Sequence, residues 1–156
     1  MKRLSLKLFL IAILSVLSSL VISCRYGCRK EGGTGTAGSN ESHNMGMNCI
    51  NCHSATGDAE GCFSIGGTAY REDLSTVYPG CTIEFYTEPE AKGEFITSLI
   101  SDSKGNLYTG REIKWGKGLY PTIISPEGKS KHMLKPINQG ACNNCHGQTT
   151  SRIFIN

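Results

Sequence analysis

The sequence predicts a mainly β protein: a small β-sandwich flanked by two cysteine–histidine segments with short helical turns. Three observations predict it. Short apolar–polar alternations recur through residues 62–128, turn residues separate them, and no long segment of 3.6-residue period follows the N-terminal region. Several short strands punctuated in this way suit two packed sheets. The 156 residues fit one domain, or one domain plus an appendage.

The strands are taken in order. Phe63, Ile65 and Ala69 fall at period two, broken by the pair Gly66-Gly67. Thr82-Ile-Glu-Phe-Tyr-Thr87 alternates cleanly, with Ile83 and Phe85 on one face. Glu94-Phe-Ile-Thr-Ser-Leu-Ile-Ser101 reads as a strand that ends in the turn Asp102-Ser-Lys-Gly-Asn106. Leu107-Tyr-Thr and Leu119-Tyr-Pro-Thr-Ile-Ile124 are further short strands. Turn signals stand at Tyr78-Pro-Gly80, Gly116-Lys-Gly118 and Pro126-Glu-Gly128.

The N-terminus reads as an export signal over residues 1–23. Lys2, Arg3 and Lys7 form a basic start, and Leu8–Ile22 is a mostly apolar run of 15 residues. A spanning helix needs about 20. Without residues 1–23 the chain has 13 basic and 13 acidic side chains. That balance lacks the basic excess of a nucleic-acid binder. Residues 24–42, rich in Gly, Ser, Thr and Asn, read as a flexible tether.

Two clusters carry chemistry. Cys49-Ile-Asn-Cys52-His53 lies in the segment 43–61, and Cys142-Asn-Asn-Cys145-His146 lies in the segment 129–156. Both are C-x-x-C-H, the attachment signature of c-type haem. Two thiols three positions apart can reach the two vinyl groups of one porphyrin, and the next residue places an imidazole under the iron. Competing readings are one Cys₄ zinc site, a thioredoxin-like dithiol and structural disulfides. Zinc fits poorly, because 89 residues separate Cys52 from Cys142 and each pair carries a following His. No βαβ pattern surrounds either pair.

His43 and His132 are the remaining histidines, one for each predicted haem. They are the expected distal ligands. Met133 is a rival to His132, and Met45 and Met47 flank His43. Two strong axial ligands leave no vacant position, which favours electron transfer over catalysis.

With these residues in hand, Val21-Ile22-Ser23-Cys24 resembles the lipobox of bacterial lipoproteins. The resemblance implies a lipidated Cys24, and Arg25 after it leans towards the outer membrane. The clusters, quoted as His43-Asn-Met-Gly-Met-Asn-Cys-Ile-Asn-Cys-His53 and Gly140-Ala-Cys-Asn-Asn-Cys-His-Gly147, resemble the small multihaem c-type cytochromes of bacterial respiratory chains and extracellular electron transfer. This implies two covalently bound haem c, on Cys49/Cys52 and Cys142/Cys145, with His53 and His146 proximal. Gly66-Gly-Thr-Ala-Tyr70, Pro79-Gly-Cys-Thr-Ile-Glu-Phe-Tyr86 and Ser101-Asp-Ser-Lys-Gly-Asn-Leu-Tyr108 resemble a carboxypeptidase regulatory-like, transthyretin-type sandwich, although Cys81 departs from it.

Cys28, Cys62 and Cys81 remain. Cys62 and Cys81 begin two candidate neighbouring strands, where either a disulfide or two small buried residues would fit. Lys129, Lys131 and Lys135 form a basic patch suited to an acidic partner, to haem propionates or simply to solvent. The expectation is a lipid-anchored dihaem cytochrome passing single electrons between redox proteins of the envelope, without nucleic acid. The alternatives are a haem enzyme with one open iron site, and an envelope binding module with structural or sensory haems.

Overall fold

The computed structural model describes residues 30–156. The predicted signal, Cys24 and Cys28 lie outside the described residues. Two four-stranded sheets share one core, with very little helix. The first is centred on β1 (Ile65–Tyr70). It pairs antiparallel with β4 (Asn106–Thr109) on one side and parallel with β7 (Gly140–Ala141) and β8 (Ile153–Phe154) on the other. The second runs in the order β3 (Lys92–Ile100), β2 (Thr82–Glu88), β5 (Tyr120–Ile124) and β6 (Ser130–His132), all antiparallel.

The five longer strands match the alternations read from the sequence to within a few residues. On β2, Ile83 and Phe85 turn inward while Glu84 and Tyr86 stay partly exposed. They meet Ile65, Ala69 and Leu107 of the other sheet together with Leu99, Leu119 and Ile123. Burial of this alternating face is what selects the register, since a one-residue slip would turn it to water. The interruption at Gly66-Gly67 does not weaken β1, whose six residues are all buried.

The segment 129–156 is part of the sheets and not an appendage. It supplies β6 to one sheet and β7 and β8 to the other. These strands are two or three residues long, too short to show a period in the sequence. Gly140 is the tightest glycine of this segment. A Cβ there would fall on the Ser64 carbonyl oxygen and 2.5 Å from the Ile65 Cα. Gly140→Ala should therefore push β7 off β1. The expected result is a lowered thermal midpoint and lost amide protection at Gly66, read by hydrogen exchange; unchanged protection would refute the close approach.

Residues 30–42 also differ from the expected flexible tether. The Gly32 amide donates to the Cys62 carbonyl (2.9 Å) and the Gly35 amide to the Tyr108 carbonyl (3.0 Å). The Ser39 carbonyl accepts from the Ser103 amide (2.8 Å). Glycine is used here for close approach: a Cβ on Gly32 would sit 2.5 Å from the Phe63 ring and 2.6 Å from the Cys62 carbonyl oxygen. A glycine-rich composition reads the same whether the chain is loose or pressed against a neighbour.

A disulfide between Cys62 and Cys81 is ruled out. The strands that follow them lie in different sheets. Cys81 is a free thiol at 0% exposure in the core, and burial pushes its pKa up to about 11, while Cys62 is itself disulfide-bonded. Among the described residues no helix is long and apolar enough to cross a membrane.

Candidate functional site

The two C-x-x-C-H segments fold into closely similar turns. In the first, α1 (Cys49–Cys52) begins at Asn48, whose side chain accepts from the Ile50 amide (3.2 Å). The His53 amide closes the turn on the Cys49 carbonyl (2.9 Å). In the second, a 3-10 turn spans Cys142–Asn144, and the His146 amide closes on the Cys142 carbonyl (3.0 Å). Each closure brings the histidine back beside the first cysteine of its own motif.

The imidazoles are held alike. His53 Nδ1 lies 3.0 Å from the Gly61 carbonyl oxygen and His146 Nδ1 lies 2.7 Å from the Ser151 carbonyl oxygen. A carbonyl only accepts, so each Nδ1 carries the proton and each Nε2 presents a lone pair. An outer hydrogen bond of this kind fixes the tautomer and orientation of a metal-ligating histidine. Phe63 stacks on the His53 ring, 4.0 Å between centroids and 13° between planes. Tyr108 stacks in turn on Phe63 at 4.8 Å.

Strand β1 brings the motifs together. A Cβ on Gly66 would lie 2.9 Å from the Cys49 Cβ, and one on Gly67 would lie 3.0 Å from the Cys142 Cβ. The glycine pair thus seats the first cysteine of each motif on consecutive positions of the central strand. Burial pushes the Cys49 thiol up, and burial followed by the neighbouring Cys49 pushes the Cys142 thiol up to about 12. Both are therefore protonated near neutral pH, the opposite of the activated thiolate a dithiol oxidoreductase needs. Cys52 and Cys145 are exposed, and all four motif thiols are free.

Each motif has a second histidine nearby. The His43 and His53 rings lie 6.0 Å apart between centroids, with planes tilted by 36°. A metal bonded at about 2 Å to one nitrogen of each ring would separate the centroids by about 6 Å. His132, on β6, faces a cleft of about 450 Å³ that it shares with Met133, Cys142, Cys145 and His146. Its Nδ1 is 3.0 Å from Thr122 Oγ1, which leaves Nε2 for another partner. Apolar side chains, among them Ile83, Ile123, Ile153 and Phe154, line much of the rest of this cleft, beside Lys131, Gln139 and Arg152. The volume is within the range of sites that enclose a cofactor.

Met133 lines the cleft beside its rival His132, whereas Met45 and Met47 are exposed. Lys129, Lys131 and Lys135 are also exposed, with Lys131 Nζ 3.1 Å above the centre of the Phe154 ring at the cleft. Among the described residues no three His, Cys, Asp or Glu side chains converge as ligands for one bare metal ion. Asn143, Thr68, Asn106 and Phe63 support the site and were not singled out from the sequence for any such part. Their roles depend on partners 20 or more residues away, except for the Phe63 stack on His53. Comparison with protein-family models, with curated proteins and with solved structures gave no match.

Proposed function

We propose that the chain is a dihaem c-type cytochrome that carries single electrons between redox proteins at the bacterial cell envelope. The observation that carries this reading is the pairing at each motif. A histidine with Nδ1 tied to a backbone carbonyl stands at the end of each C-x-x-C-H turn, and a second histidine lies close by. When bound, haem c supplies a one-electron iron couple.

The residues present fit that group. At the first motif the Cys49 and Cys52 thiols would each add S–H across a vinyl double bond, giving two thioethers. His53 and His43 would hold its iron. At the second, Cys142 and Cys145 would do the same, His146 would be proximal, and His132 would reach across the cleft with Met133 as its competitor. With two histidines holding each iron, these side chains would keep the same ligands as the centre changes charge, which suits electron transfer. The apolar side chains on the inner wall of the cleft would lie against the second centre. The raised thiol pKa values count against a dithiol enzyme, and the lack of convergence among ligands counts against one Cys₄ zinc site. The signal-like start and the lipobox-like Cys24 support export and a lipid tether, with an outer-membrane location.

The test is production in a host that matures c-type cytochromes, followed by pyridine haemochrome stoichiometry and oxidised and dithionite-reduced spectra. Two covalent haems per chain, both low-spin and indifferent to cyanide, are expected. A protein without covalent haem would refute the reading, and a high-spin component would favour the haem-enzyme alternative.

A further inference from the structure

A buried polar network crosses from the second motif to the first. Asn143 lies between the two cysteines of the second motif and is 3% exposed. Its Oδ1 accepts from the Thr68 amide (3.2 Å), and its Nδ2 donates to the Met47 carbonyl (2.9 Å) and to Thr68 Oγ1 (3.0 Å). Thr68, fully buried on β1, also accepts from the Gly46 amide (2.9 Å) and donates to Asn106 Oδ1 (2.7 Å). Asn106 Nδ2 then donates to the His43 carbonyl (3.1 Å) and to Ser42 Oγ (2.9 Å).

The Thr68 hydroxyl has one hydrogen and two lone pairs, and all three are used. The network therefore has one arrangement and no slack. It fastens residues 42–47 at Ser42, His43, Gly46 and Met47, on both sides of the exposed His43 side chain. The first motif adds one contact to this fastening, from Cys49 Sγ to the Met47 carbonyl (3.7 Å).

We propose that Asn143, though inside the second motif, is a positioning residue for the first: through Thr68 and Asn106 it holds His43 at ligand distance from the centre bound by His53. The proposal rests on the dihaem reading. It means that folding of the second C-x-x-C-H turn completes the distal side of the first centre, so the two sites are assembled together.

The experiment uses the full chain matured with haem, with ferric electron paramagnetic resonance and cyanide binding as readouts. His43→Ala should convert one of the two haems from low-spin to high-spin and cyanide-binding. Asn143→Ala should convert that same haem, so the double variant Asn143→Ala/His43→Ala should still show only one. Thr68→Val keeps the side-chain shape, loses the hydroxyl hub, and should act in the same direction if Asn143→Ala does not accumulate. Wholly low-spin Asn143→Ala or Thr68→Val protein would overturn the proposal, as would two high-spin haems in the double variant or a low-spin His43→Ala. A wild-type protein with no covalent haem would overturn the functional reading and the proposal together, a result distinct from all of these.

Discussion

Replacing Cys142 and Cys145 together by alanine should lower covalent haem from two per chain to one. Both thiols border the cleft that holds His132 and His146, and neither has a disulfide partner to lose. Intact-mass measurement and haemochrome stoichiometry read the result directly. The side chains lining that cleft would then lose their contacts with the bound group, so a lowered thermal midpoint should accompany the loss. Cys81→Ala is the control. That thiol is buried in the core, belongs to neither motif and should leave two haems in place. Retention of both haems in the double variant would show that the second motif does not attach one.

Phe85→Ala should cost about 3–5 kcal/mol of folding stability, a large part of the ~5–15 kcal/mol typical of a domain. Phe85 is fully buried between the sheets, opposite Thr97 on one neighbouring strand and Pro121 on the other. No adjacent side chain could fill the space left by its ring without leaving its own place in the core. Phe95→Ala in the same hairpin is the contrast. That ring is 50% exposed and makes one edge-on contact with Tyr86 at 5.7 Å, so about 1 kcal/mol is expected. Urea denaturation of both variants checks the pair. Equal losses would mean that the inward and outward faces of this hairpin have been misassigned.

Local features carried the readable part of the fold. Ile83 and Phe85 announced their shared face by spacing alone, because period two is a property of the extended backbone whatever it packs against. The turn at Asp102–Asn106 was legible for a similar reason. Asp102 Oδ1 accepts from the Lys104 and Asn106 amides (2.9 and 3.0 Å), a bond made within the turn itself. Gly32 was misleading, since close approach and looseness call for the same residue. Cys62 and Cys81 left two readings open, because closeness of two strands along the chain does not say whether they share a sheet.

The sequence by itself determined the mainly β character, the longer strands and the six residues of the two C-x-x-C-H turns, all of which depend on neighbours within a few positions. Only the tertiary structure decided that β7 and β8 flank β1, that Gly66 and Gly67 seat the two motifs on one strand, and that His43 lies 6.0 Å from His53. It alone decided, too, that Asn143 reaches Met47 across 96 positions of chain. Such pairings are set by which buried polar groups and apolar faces can be satisfied together, and that condition holds over the whole packed molecule rather than over any one segment.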